Sequence, residues 1–134
     1  MGGVNLTDIY EPIKTELKRV EDTLAERLGE RGPGVISEIN QYLLSARGKR
    51  LRPALAILSA RASSKRQSAV LMRRLVRLAS ALELAHMASL VHDDVIDKSD
   101  LRHNRPTVNA RWGDDVSVAV GDYLYSEAFS LISD

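Results

Sequence analysis

The chain has 134 residues, 44 % of them apolar and 28 % charged, which is enough for a packed core and too apolar for a disordered chain. Its formal net charge of +1 excludes a global electrostatic pull toward nucleic acid or an anionic membrane. It has no cysteine, which rules out disulfides and thiolate metal sites and fits a cytoplasmic protein. The opening MGGVNLTDIYEPIK carries acids and no apolar h-region, unlike a signal peptide. No apolar run approaches the ~20 residues of a membrane helix.

Leu6, Ile9, Tyr10, Ile13, Leu17, Val20, Leu24 and Leu28 recur at three- and four-residue steps, which predicts one amphipathic helix. Pro12 falls in its first turns, where a missing N–H costs little. Gly29 and then Gly32-Pro33-Gly34 stop it. A second helix is predicted over about 35–46, with Ile36, Ile39, Leu43 and Leu44 inward, and a third over about 53–62 with Pro53 at its first position. Ser63-Ser64-Lys65-Arg66 reads as a turn. The longest helix is predicted over about 67–98, through Leu71, Leu75, Leu78, Leu82, Ala85 and Leu90. Residues 99–106 read as a polar loop and 108–112 as a short helical piece. A last helix starts near Asp114 and still runs at Asp134 without Gly, Pro or a basic cluster to end it. With no period-two segment, the expectation is an all-α, single helical region over 1–134. The missing stop signal makes the chain look cut rather than finished.

The chemistry centres on Leu90-Val91-His92-Asp93-Asp94-Val95-Ile96-Asp97. Positions i and i+4 share a helix face, so Asp93 and Asp97 point the same way, one turn apart. Asp94 lies about 100° round from Asp93. Gathering carboxylates beside an apolar segment costs repulsion and desolvation, which a hard divalent cation offsets. Mg²⁺ takes oxygen ligands, keeps several waters and is usually shared with substrate phosphates. The competing reading is a solvated acidic helix end. The almost wholly apolar turns from Leu82 to Val91 argue against it, because they put the acids at the mouth of something buried.

Gly48-Lys49-Arg50-Leu51-Arg52-Pro53 lies at a helix junction and carries a compact and a forked cation, Lys49 and Arg52, both suited to phosphate oxygens. A solvated basic turn has the same composition. Arg102 and Arg105 follow the aspartates in a loop that can fold back over a metal-bound phosphate. His86 and His92 lie along the acidic helix, where a hydrogen-bonded packing histidine is the plainer reading. The basic residues Arg61, Lys65, Arg66, Arg73, Arg74 and Arg77 have no interleaved aromatics, so a solvated face explains them better than nucleic acid does.

In order and spacing, GKRLRP, HMASLVHDDVID, SDLR, RPTVNARWG and GDYLYSEAF resemble the trans-prenyltransferase (polyprenyl diphosphate synthase) family, from about residue 44 to the end. The resemblance implies an antiparallel helical bundle around a deep cavity, usually a homodimer. It implies condensation of isopentenyl diphosphate with an allylic diphosphate, using Mg²⁺. Asp93 and Asp97 would bind Mg²⁺, with Asp94 helping to hold the cluster. Lys49, Arg52 and His86 would bind the isopentenyl diphosphate, and Arg102 the allylic diphosphate.

Two departures from the family pattern stand out. The second of two adjacent arginines is His103, a hydrogen-bond donor whose residue type is only partly charged near neutral pH, and Asn104 replaces a common Gly. The family's second aspartate-rich motif is absent. Gly113-Asp114-Asp115 is better explained as a helix cap. The implied chain therefore associates with itself or with a complementary C-terminal half.

Growth of the hydrocarbon tail would run back along the helix from Asp93. Ser89, Ala88 and Ala85, one to two turns earlier, are all small. A large aromatic there would floor the cavity, so a long product of about C30 or more is expected. Tight helix packing would select the same small residues. Two other classes stay open: a non-catalytic helical subunit that binds diphosphate, and, from His92-Asp93, an HD-type metal phosphohydrolase.

Overall fold

The structure is a computed structural model and describes residues 5–29, 34–46, 48–64 and 68–133. It is all-α apart from one small hairpin. Helix α1 (Leu6–Tyr10) is opened by a capping box in which the Asn5 side chain accepts from the Asp8 N–H and Asp8 accepts from the Asn5 N–H. The predicted first helix is not continuous. Pro12, with no N–H to donate, sits in a 3₁₀ turn over Glu11–Ile13 before α2 (Lys14–Leu28) begins. Val20, Leu24 and Leu28 are fully buried at four-residue steps.

Helix α3 (Val35–Ser45) follows Gly34, whose φ of 46° favours glycine. The stop signal at Gly32-Pro33 and the turn at Lys65-Arg66 lie outside the described residues. Helix α4 (Leu51–Ser63) starts two residues before Pro53, from a left-handed Arg50 (φ 49°). Helix α5 (Ala69–Ile96) is the axis of the bundle: α2, α4 and α7 all pack against it. Its 28 residues span about 42 Å. The start predicted at Gln67 lies outside the described residues; the cap is Ser68, whose hydroxyl accepts from the Leu71 N–H at 3.1 Å.

Helix α5 ends in a Schellman motif. Lys98 turns left-handed (φ 52°), its N–H bonds Val95 O at 3.2 Å, and the Ser99 N–H bonds Asp94 O at 2.9 Å. The expected polar loop at 99–106 is instead a β-hairpin, β1 (Leu101–Arg102) against β2 (Arg105–Pro106), with Arg102 paired across to Arg105. Both turn residues, His103 (φ 50°) and Asn104 (φ 60°), have positive φ, as a tight hairpin of primed type requires. The short α6 (Val108–Trp112) matches its prediction and is capped by Thr107. Gly113, at φ 89°, then permits the bend into α7 (Asp114–Ser133).

At Gly121, α7 packs tightly against His92 of α5. A Cβ placed there would lie 2.0 Å from His92 Nε2, a ring nitrogen 3.1 Å from the Val118 carbonyl oxygen. Gly121→Ala should therefore cost about 2 kcal/mol by overpacking, read as a lower urea midpoint. Truncating the obstructing ring in Gly121→Ala/His92→Ala should recover part of that loss. An unchanged midpoint in Gly121→Ala would show that the ring swings aside freely.

Candidate functional site

A cavity of about 740 Å³ opens between the α3–α4 junction, the second half of α5 and the hairpin. Each wall contributes charge. The junction brings Lys49, Arg50 and Arg52, α5 brings Glu83, His86 and Asp94, and the hairpin brings Arg102, His103 and Arg105.

The junction is pinned from two sides. The Tyr10 hydroxyl donates to the Lys49 carbonyl oxygen at 2.7 Å. Arg50 donates from Nε to Glu21 at 2.5 Å and from Nη1 to Glu83 at 2.9 Å. The Arg50 and Glu83 side chains are only 11 % and 8 % exposed. Burial pulls the Arg50 pKa down, but its bonds and charge pairing with Glu21 and Glu83 outweigh that and raise it. With Arg50 so engaged, Lys49 and Arg52 stay exposed and meet no carboxylate partner among the described residues.

The carboxylates of α5 divide by burial. Asp94 is 5 % exposed. Its Oδ1 accepts from Arg102 Nε at 3.0 Å and Nη2 at 2.8 Å, and its Oδ2 from Nε at 3.2 Å. That bonding raises the Arg102 pKa above its ordinary value. Asp93 and Asp97 are exposed and stand at the helix end, outside the cavity lining. Among the described residues no group of three or more His, Cys, Asp or Glu side chains could hold a metal ion. Two exposed acids one turn apart do not cage a cation, but they fit Mg²⁺ retaining waters and sharing phosphate oxygens.

A family model described as polyprenyl synthetase matches residues 33–134. The chain belongs to the polyprenyl synthetase family. It is 39 % identical over 131 residues to heptaprenyl diphosphate synthase component 2 of Geobacillus stearothermophilus, covering 98 % of this chain and 39 % of that one. With octaprenyl diphosphate synthase of Escherichia coli it shares 36 % over 130 residues, covering 97 % and 38 %. The crystal structure of a decaprenyl diphosphate synthase from Rhodobacter capsulatus superposes with a TM-score of 0.85 at 35 % identity, covering 97 % and 38 %. A polyprenyl synthase from Caulobacter crescentus, complexed with calcium and isoprenyl diphosphate, also gives 0.85, at 29 % identity, covering 99 % and 39 %. This polyprenyl synthetase chain thus spans a little under two-fifths of the length of these relatives.

Of the residues singled out from the sequence, Lys49, Arg52, His86, Arg102 and His103 come together around this cavity with Asp94. The small residues do not line it. Ala85 and Ser89 are half-buried on the Asp93 side of α5, with the Ser89 hydroxyl donating to His86 O at 2.8 Å. Ala88 is fully buried in the core, where tight packing accounts for its size. The basic stripe is not simply solvated. Arg61 docks on Glu16 and the Pro12 carbonyl, and Arg77 Nε donates to Leu131 O at 2.9 Å. Arg73 and Arg74 are exposed, and Lys65 and Arg66 lie outside the described residues.

Sequence reasoning missed Arg50, Glu83, Glu21 and Tyr10, which hold the junction, and Tyr42, which holds the hairpin. Arg50 hides in a basic run that reads as a solvated turn, and its partners are 29 and 33 residues away. No local signal links them.

The His86 pKa is lowered, by burial first and then by the positive charge of Arg52 and Arg102, against opposing Glu83 and Asp93. The folded chain therefore binds this proton less readily than the unfolded chain, whose His titrates near 6.5. Stability rises with pH through that window and falls as pH drops below about 6.5. Urea midpoints measured between about pH 7.5 and 5.5 should show this decline, and His86→Gln should flatten it. An equally steep decline in the variant would assign it to other groups.

Proposed function

We propose that this chain carries the diphosphate-binding half of a prenyl chain-elongation site, which condenses isopentenyl diphosphate with an allylic diphosphate to give a medium- or long-chain product. One observation carries the reading: basic side chains from three separate segments, Lys49 and Arg52, His86, and Arg102 with His103, surround one cavity. The relatives' names support it, as does the Caulobacter structure's complex with a divalent cation and an isoprenyl diphosphate.

Lys49, Arg52 and His86 hold the diphosphate of the nucleophile, and Arg102, oriented by Asp94, faces that of the allylic partner. Mg²⁺ held at Asp93 and Asp97 would neutralise charge on the departing diphosphate. The allylic C–O bond breaks with its electron pair leaving on diphosphate. The isopentenyl double bond then forms the new C–C bond, and a proton is lost. Ala85 and Ser89, on the Asp93 face, would leave room for the growing tail. Ala88, in the core, is removed from that role.

A second reading has its own observation. Leu78 and Leu82 on α5 and Phe129 and Ile132 on α7 are 45, 42, 62 and 55 % exposed, large apolar side chains that a partner surface would cover. The chain then binds diphosphate but turns over only with a second copy or a complementary half.

Calorimetric titration with inorganic diphosphate tests the first step. Binding should require Mg²⁺, and Lys49→Gln or Arg52→Gln should each weaken it about ten-fold or more, the worth of one charge-assisted hydrogen bond. No detectable binding would sink the proposal. A condensation assay with labelled isopentenyl diphosphate separates the two readings, since product from this chain alone excludes the second.

A further inference from the structure

Four guanidiniums line the cavity, and two of them are already neutralised. Arg50 is paired with Glu21 and Glu83, and Arg102 with Asp94 through both Nε and Nη2. Arg105 is held differently. Its Nη2 donates to two neutral oxygens, the Ser45 hydroxyl at 2.9 Å and the Tyr42 carbonyl at 3.4 Å. Its guanidinium carbon lies 4.4 Å over the Tyr42 ring. Nε and Nη1 have no protein acceptor among the described residues, and no carboxylate among them meets its charge. A guanidinium fixed along one edge by neutral acceptors keeps its full charge and leaves its other donors available to an anion.

The fixing is structural. Arg105 sits directly across the hairpin from Arg102, so the tight turn at His103-Asn104 sends both side chains toward one wall. The Tyr42 hydroxyl donates to Pro106 O at 2.6 Å, which ties β2 to α3. Trp112 meets the Tyr42 ring edge-on at 5.3 Å, and Arg111 stacks 4.5 Å from its centre. A cation held this way loses little further freedom on binding a ligand.

We infer that Arg105 is a phosphate-binding residue of the cavity, acting with Lys49 and Arg52 as its uncompensated cations, and that Tyr42 and Ser45 position it. The inference rests on the cavity being a diphosphate site.

The test is titration of the full chain with inorganic diphosphate in Mg²⁺ at fixed ionic strength. Arg105→Gln should raise the Kd about ten-fold or more, and Arg105→Lys, which keeps a point charge but loses the fork and the stack on Tyr42, should recover only part of that loss. Lys49→Gln is measured alongside. If Lys49→Gln weakens binding and a folded Arg105→Gln does not, this inference fails and the reading of the cavity survives. If neither changes the Kd, both fail. A measurement on the unsubstituted chain covers the case of a variant that does not fold. Saturating inorganic diphosphate should protect Arg105 from phenylglyoxal, mapped by peptide mass, and equal labelling with and without it would overturn the inference.

Discussion

Replacing Arg50 by Met should lower the free energy of unfolding by about 3 kcal/mol, the typical cost of leaving a buried carboxylate without its partner. Glu83 bears that cost. Its side chain is 8 % exposed and its Oε1 is bonded by Arg50 Nη1 at 2.9 Å, so removal of the guanidinium strands a negative charge on the buried face of α5. Glu21 is 46 % exposed and turns to water. Backbone strain does not confuse the comparison, because Met at the left-handed position 50 is no worse placed than Arg. Urea unfolding should show a lower midpoint at unchanged slope. The double variant Arg50→Met/Glu83→Leu should recover much of the loss, since an apolar pair of similar volume removes the uncompensated charge. If the single variant loses less than about 1 kcal/mol, water reaches Glu83 and the pair is a surface one. Diphosphate binding should weaken in the same variant, because Arg50 anchors the segment that presents Lys49 and Arg52.

The helices were legible because burial imposes a period. Ile39 and Leu43 place α3, and the run from Leu75 to Val91 places α5, within a few residues of where they form. The hairpin was not legible for two reasons. Strands of two residues have no alternation to read, and the positive φ values fall on His103 and Asn104 rather than on glycine. The end of α5 was obscured likewise, since Lys98 occupies the left-handed position where glycine is the usual signal. At the site, the residue types and their order were readable, and so was the shared face of Asp93 and Asp97. Charge pairing was not. Nothing in the string Asp93-Asp94 says that the second acid turns inward onto Arg102, or that Arg50 is engaged while its neighbours Lys49 and Arg52 meet no carboxylate among the described residues. Those assignments depend on which acids α2 and α5 bring to the cavity wall, a tertiary fact.

The division of the three aspartates by burial predicts opposite consequences for one chemical change. Asp93→Asn and Asp97→Asn alter exposed carboxylates, so each should leave stability within about 0.5 kcal/mol of the parent. Each should also raise the Mg²⁺ concentration needed for half-maximal diphosphate binding by about ten-fold or more, through loss of a charged oxygen ligand. Asp94→Asn should do the reverse. The amide keeps one acceptor for Arg102 but loses the charge that makes the fork strong, at a cost of about 2 kcal/mol, with the Mg²⁺ requirement unchanged. Thermal unfolding and diphosphate titrations across a Mg²⁺ series separate the cases. If Asp94→Asn spared stability and shifted the Mg²⁺ requirement, Asp94 would be a metal ligand freed from Arg102 on binding. The geometry favours the first outcome, because both Asp94 oxygens already accept from Arg102. Turning either toward a cation beside Asp93 would break those bonds and part Arg102 from its counter-charge.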